Sequence, residues 1–315
     1  MNGIFTKTSL GSFIIMLVTG CLSCGGQKTE TFKTSDKFSL LWEITGNGLE
    51  KPSYLYGTIH IYDTTIFKIP EQVYMAIDSC PNFALELDMN DLFSQSAAMA
   101  KRMIITDPDS TLDKLLPPEV YSEVMETPFI KMLGERANQT KPIFLYQYLM
   151  VENPMSSNSV DMDLNNYANN HGKFIFGIEN IDEQLAVMDS MSLSEQAQGI
   201  IDMYEYCQKE GISFHAAGKQ MFGKMQQAYK NQDMKEFEKL EDEFTMTASS
   251  PVADSAMIAN RNINMANRIN DFIEKGEPLF AGVGAMHLPD YKDMRGVITL
   301  LKEKGYNLRP ILIEL

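Results

Sequence analysis

Four side chains able to bind a metal ion or move a proton stand just past apolar, strand-like runs. Tyr54-Leu55-Tyr56-Gly57-Thr58-Ile59-His60 and Leu279-Phe280-Ala281-Gly282-Val283-Gly284-Ala285-Met286-His287 both close on Gly-x-x-His. Phe83-Ala84-Leu85-Glu86 and Phe176-Gly177-Ile178-Glu179 both close on a carboxylate. A glycine near a strand end lets the backbone turn or approach another group closely. The histidine three residues later then lies beyond the strand's carboxyl end, the edge at which open α/β sheets bind ligands. If all four strands run parallel, two imidazoles and two carboxylates converge on one crevice, a set that suits a divalent cation with positions left for water. Each residue taken singly has a plainer reading. A histidine after a strand is commonly a hydrogen-bonded surface residue, and Glu86 within Phe83-Ala84-Leu85-Glu86-Leu87-Asp88 fits the outer face of an edge strand. Burying that carboxylate without a partner costs roughly several kcal/mol. The two-fold recurrence of Gly-x-x-His is what favours the site.

Other chemistries leave no trace. No HExxH exists, so a zincin-type site is ruled out, and there is no Gly-x-Ser-x-Gly elbow, P-loop or dinucleotide fingerprint. His171 in Asn169-Asn170-His171-Gly172 reads as a helix C-terminal turn, where a cation suits the dipole. His215 lies near the start of a helix, away from any strand end. Cys80 and Cys207 read as small core residues, and Cys207 has no nearby histidine to activate it as a nucleophile. The 22 methionines are scattered through helices without a repeated cluster, which fits core filling rather than copper binding.

The elements that must position these residues alternate between strand and helix. Ser39–Ile44 and Ser53–Ile59, joined by Gly46-Asn47-Gly48, predict an opening hairpin. Further strands are expected at Phe83–Leu87, Phe174–Ile178, Leu279–Val283 and Pro310–Ile313. The middle three lack clean alternation, as in strands covered on both faces. Helices are expected over Asp91–Ile105, Pro118–Leu133, much of Asp182–Phe244, Ala253–Lys275 and Tyr291–Lys304, the last two stopped by Gly276 and Gly305. This order predicts an α/β fold: a mostly parallel central sheet opened by a β-hairpin, with helical insertions at about 91–170 and 182–276.

Composition narrows the setting. Of 315 residues, 44% are hydrophobic and 22% charged, too apolar for a disordered chain and too polar for a polytopic membrane protein. Asp and Glu number 42 against 27 Lys and Arg, a net charge of −15, which argues against a nucleic-acid partner because phosphate contacts need clustered cations. The first twenty residues read as a signal segment rather than fold: Lys7 precedes the short apolar run Phe13–Val18. Val18-Thr19-Gly20-Cys21 resembles the lipobox of bacterial lipoproteins, which makes Cys21 the lipidation site and 21–36 a flexible tether before a domain at 37–315. The expected address is extracytoplasmic, lipid-anchored to a bacterial membrane, the outer membrane first.

Taken together, Gly57-Thr58-Ile59-His60, Glu86, Gly177-Ile178-Glu179, Arg261-Asn262 and Gly284-Ala285-Met286-His287-Leu288-Pro289 resemble the TraB/GumN family, which includes the TIKI proteins. The resemblance runs from about Trp42 to Leu315. It implies a metal-dependent hydrolase acting on peptide bonds of a peptide or protein substrate, with manganese or cobalt before zinc. By motif, His60, Glu86 and His287 would be metal ligands, and Glu86 and Arg261 the catalytic pair. Gly57, Asp161, Glu179, Asn262 and Gly284 would support them. One position departs from the family pattern: Met286 precedes His287 where the motif usually carries glycine. Two other readings stay open, a metal-free hydrolase resembling erythromycin esterase and a non-catalytic lipoprotein that captures a peptide signal.

Overall fold

The computed structural model describes residues 32–35, 37–60, 62–150, 159–244 and 258–315. The expected signal segment 1–20, Cys21 and all of the tether 21–36 but its last few residues lie outside the described residues.

The chain opens with β1 (Leu41–Gly46), β2 (Ser53–Thr58), α1 (Glu71–Ser79), β3 (Asn82–Leu85) and α2 (Met89–Arg102). Helices α3 (Leu112–Leu115), α4 (Pro118–Glu126), α5 (Pro128–Leu133), α6 (Pro142–Met150) and α7 (Val160–Asn170) lead to β4 (Phe174–Gly177). Next come α8 (Ile181–Asp189), α9 (Leu193–Glu210), α10 (Phe214–Lys230), α11 (Met234–Phe244) and α12 (Asn260–Ile273). The chain closes with β5 (Leu279–Gly284), a 3-10 turn at Ala285–His287, α13 (Val297–Glu303) and β6 (Tyr306–Pro310).

The six described strands form one sheet in the order β4-β3-β5-β2-β1-β6. β1 and β2 make the antiparallel hairpin, through a turn whose Gly46, Asn47 and Gly48 all adopt positive φ. From β2 outward every pairing is parallel: β2 with β5, β5 with β3, and β3 with β4. β6 closes the other side antiparallel to β1. The fold is therefore mixed α/β with a mostly parallel sheet. β2 and β3 are buried along their whole length, and Phe83 stacks on Phe280 across β3 and β5 at 5.6 Å. Each fully buried side chain of that size contributes about 1.5–3 kcal/mol.

Two large hydrophobic cores form among the described residues, beside a small cluster at Ile143 and Met191. One lies against the sheet and takes in Ile77, Leu164, Ile269 and Leu301 from α1, α7, α12 and α13. The other, formed around Leu112, Val124, Leu145, Ile200 and Met221, is made by helices alone. Cys80 and Cys207 are buried, one in each core. Among the described residues no helix is long and apolar enough to cross a membrane.

Several boundaries differ from expectation. Pro118–Leu133 is two helices, because Pro128 holds the preceding Thr127 in extended backbone (ψ 129°) and ends α4 there. β4 is an edge strand, so it is not covered on both faces: Phe174 is 63% exposed. The last strand runs over Tyr306–Pro310 rather than Pro310–Ile313, and alternates as a half-solvated edge strand should. The final helix starts only at Val297, since Tyr291 and Met294 bridge across a tight turn with Lys292 at φ 51°.

Candidate functional site

Parallel pairing brings the carboxyl ends of β4, β3, β5 and β2 to one edge. Strand order then sets the spatial order of the side chains just beyond those ends: Glu179, Glu86, His287, His60. Glu86, Glu179, His287 and Asp161 are all buried, whereas the His60 side chain is 74% exposed.

Glu86 is surrounded by donors. Its Oε1 accepts the Gly284 N–H at 2.6 Å, and its Oε2 accepts Arg261 Nη2 at 2.6 Å and Gln184 Nε2 at 3.2 Å. Arg261, in the first turn of α12, also donates to Glu179 through Nε (3.0 and 3.1 Å) and Nη2 (2.6 Å). Gln184 donates to Glu179 as well, at 3.0 Å, so arginine and glutamine together tie two buried carboxylates side by side. Burial pushes the Glu86 carboxyl up, but the positive neighbours and the Gly284 N–H overcome it and hold the group well below the ordinary carboxylate range. Arg261 is raised further by the carboxylates it bonds, against the cost of its own burial.

Two glycines are required by proximity. A Cβ at Gly284 would stand 3.1 Å from Glu86 Oε1, and one at Gly57 would stand 2.7 Å from Leu288 Cδ1 and 3.1 Å from the Ala285 backbone. Close approach of β2 to the 3-10 turn, and of Glu86 to β5, needs a missing side chain at both positions.

Both imidazoles are held through Nδ1. Asn262 Nδ2 donates to the Arg295 carbonyl at 2.8 Å, which turns its Oδ1 towards His287 Nδ1 at 2.6 Å. An amide oxygen only accepts, so Nδ1 carries the proton and Nε2 presents its lone pair. That lone pair faces Glu86 Oε1 across 3.7 Å, two acceptors beyond hydrogen-bond reach of each other. Asp161, in the first turn of α7, accepts from His60 Nδ1 at 3.0 Å, which leaves Nε2 as the ring nitrogen it does not engage. Burial brings His287 down to about 4, with Arg261 and His60 pushing the same way against Glu86. Asp161 pushes His60 up to about 9; with the ring so exposed, the shift belongs to that carboxylate rather than to burial.

Among the described residues no three His, Cys, Asp or Glu side chains stand close enough to hold an ion as they are. The donor chemistry nonetheless fits a divalent cation. The His287 Nε2 lone pair is bare, His60 Nε2 joins it when the ring releases a proton, Glu86 supplies a carboxylate, and each imidazole has the outer partner on Nδ1 that metal-bound histidines carry. Three carboxylates against one guanidinium also leave the site net negative.

Gly57, Glu86, Glu179, Arg261, Asn262, Gly284 and His287 are thus gathered within a few contacts, and Asp161 joins through His60. Gln184 escaped the sequence reading: a glutamine four residues past a helix cap carries no signal until the cap is docked beside Glu86. His171 caps α7 and bonds Tyr167, and His215 begins α10, both away from the strand ends.

A mostly parallel sheet with a polar, carboxylate-rich carboxyl edge defines a mixed α/β protein. The chain belongs to the TraB/PrgY/gumN family, whose model matches residues 40–310. No curated protein matches the chain, and neither does any solved structure.

Proposed function

We propose that this chain is a hydrolase of amide bonds in a peptide or protein, with His60, Glu86 and His287 holding a divalent cation, manganese or cobalt before zinc. One observation carries the reading: each Gly-x-x-His imidazole donates its Nδ1–H to a built-in acceptor, Asp161 or Asn262, which sets Nε2 as the coordinating atom, bare in His287 and available in His60 once that ring releases its second proton. The chemistry such an ion supplies when bound is Lewis acidity, which polarises a scissile carbonyl and acidifies a water molecule.

The chain's own residues do the rest. Asn262 and Asp161 orient the rings and fix their tautomers. Arg261 and the Gly284 N–H keep Glu86 ionised, and Gln184 helps to hold it in place; a carboxylate held this far below its ordinary range accepts protons poorly, which favours ligand over general base. Arg261 has two carboxylates on its Nε and Nη2, so its role is to hold them rather than to face a developing oxyanion. The Asp161–His60 pair also supports a second reading, a metal-free hydrolase in which this exposed dyad activates water. Attachment to an extracytoplasmic membrane face through acylated Cys21 completes the proposal.

Calorimetry with manganese, cobalt and zinc, alongside cleavage of a fluorogenic peptide library, tests it. Wild type should bind and cleave, and His60→Ala should lose both. Equal metal binding by the two proteins sinks the metal site. Cleavage that survives a chelator but not His60→Ala transfers the assignment to the metal-free dyad.

A further inference from the structure

His60 presents a problem of support. Its ring is mostly exposed and is fixed by one side-chain bond, so its position depends on the backbone that carries it. That backbone is held by a helix the site does not otherwise use. α10 spans both cores: Phe214, Ala217 and Met221 pack among the helices, Ala228 and Tyr229 against the sheet. In its last turns Gln226, Tyr229 and Lys230 have the spacing that places side chains on one face. Each reaches the chain beside His60. The Tyr229 hydroxyl donates to the Gly57 carbonyl at 2.7 Å, before the histidine. Gln226 Oε1 accepts the Asp63 N–H at 2.6 Å, and Lys230 Nζ donates to the Ile66 carbonyl at 2.7 Å, both after it. Phe67 packs on Tyr229 with ring centroids 5.1 Å apart and stacks on Tyr62, whose hydroxyl bonds Asp163.

The pattern is more than loop packing. β2 already has strand partners on both sides, so its pairing does not need Tyr229. A lysine in the last turn of a helix ordinarily points to water, and a buried glutamine oxygen is costly without a donor. Here all three side chains are committed to the main chain that flanks one residue. α7 grips the same loop from the other side through Asp161 and Asp163.

We infer that Gln226, Tyr229 and Lys230 are positioning residues for His60: α10 clamps the strand end and the following loop so that the exposed imidazole meets Asp161 and faces the crevice. This rests on the reading of His60 as a site residue, and the test separates the two. Hydrogen exchange and manganese calorimetry are run on the full chain for wild type, Gln226→Met, Lys230→Met and Gln226→Glu, the last keeping an acceptor for the Asp63 amide. Gln226→Met and Lys230→Met should speed exchange across residues 62–67 about tenfold, leave β5 unchanged, and weaken manganese binding about tenfold, the lower end for loss of an outer partner. Gln226→Glu should restore both. Unchanged loop exchange overturns the clamp. So does a faster loop with wild-type manganese affinity, or a manganese loss that Gln226→Glu does not restore. If wild type itself binds no manganese, the metal reading fails alone; loop exchange and the line width of the His60 ring resonance then decide the clamp.

Discussion

The two Gly-x-x-His segments share a spacing and almost nothing else. After β2 the histidine emerges on an exposed loop against the carboxylate of Asp161 and is pushed up to about 9. After β5 it turns back into a 3-10 turn, buried against the amide of Asn262, and is brought down to about 4. One motif thus makes two different bases, because the Asp161 charge raises one ring while burial lowers the other, whose neutral Asn262 partner brings no charge to offset it. In a metal site the two would divide the work: His287 is coordination-ready at neutral pH, whereas His60 must release a proton to bind.

The largest effect is expected at Arg261, the cation that the buried carboxylates beside His287 share. Arg261→Ala strands Glu86 and Glu179 in the interior without their cation, and should cost about 3–5 kcal/mol in denaturant unfolding. Two turns along α12, Arg268 bonds the half-exposed Glu183 at 2.6 Å, and Arg268→Ala should cost under about 1 kcal/mol. Similar losses for both arginines would show that burial is not what distinguishes them.

The glycines should separate next. Gly57→Ala drives a methyl into Leu288 and the Ala285 backbone, an overpacking cost of about 1–3 kcal/mol by thermal or chemical melting. Gly284→Ala presses on side-chain atoms alone, Glu86 Oε1 at 3.1 Å and the His287 ring at 3.5 Å, so it should cost less in melting than Gly57→Ala while weakening metal binding. Equal melting penalties would contradict the difference in packing.

Metal-free protein in chelator should show opposite pH slopes from the two rings. For His287 the folded value lies below the unfolded one near 6.5, so the unfolded chain binds more protons between about 4 and 6.5. Stability should therefore rise with pH across that window, by something on the order of 2 kcal/mol. For His60 the folded value lies above the unfolded one, so its contribution is complete below about 6.5 and is lost as pH rises through about 9, a smaller effect at an exposed ring. Asn262→Asp should reverse the first slope and Asp161→Asn abolish the second, both followed by imidazole resonances. A His287 slope untouched by Asn262→Asp would assign that shift to burial alone, and a His60 slope untouched by Asp161→Asn would remove Asp161 as its cause.

The smallest effect is a control outside the site. Arg268 holds Glu183 down to about 2, so that pair should stabilise above the ordinary carboxylate value and fade as pH falls towards 2. Glu183→Gln should remove that acid-side dependence for about 0.5 kcal/mol, given how exposed both partners are.

Much of the site was legible along the chain because its residues sit at strand ends, where local pattern and global position coincide. Gly57, Glu86, Gly284 and His287 follow from apolar runs that could only be strands. Arg261, Asn262 and Asp161 sit on helices with no local mark, and entered through resemblance. Gln184 and the α10 residues were invisible: a helical glutamine, tyrosine or lysine reads as surface or core until its neighbour across the fold is known. Pro128 was a visible break, but only the packing of α4 and α5 shows that the chain bends there.

The amino-acid sequence by itself determined the alternation of strand and helix, the parallel character of the buried strands, and which four side chains end them. Those features arise from periodicity and backbone chemistry, which act over a few residues. Tertiary structure alone decided the strand order β4-β3-β5-β2, hence who faces whom, and it alone gave the two histidines opposite proton affinities. Solvent exposure and the charge of a partner more than a hundred residues away, as for His60 and Asp161, are sums over the whole fold, and no stretch of chain contains them.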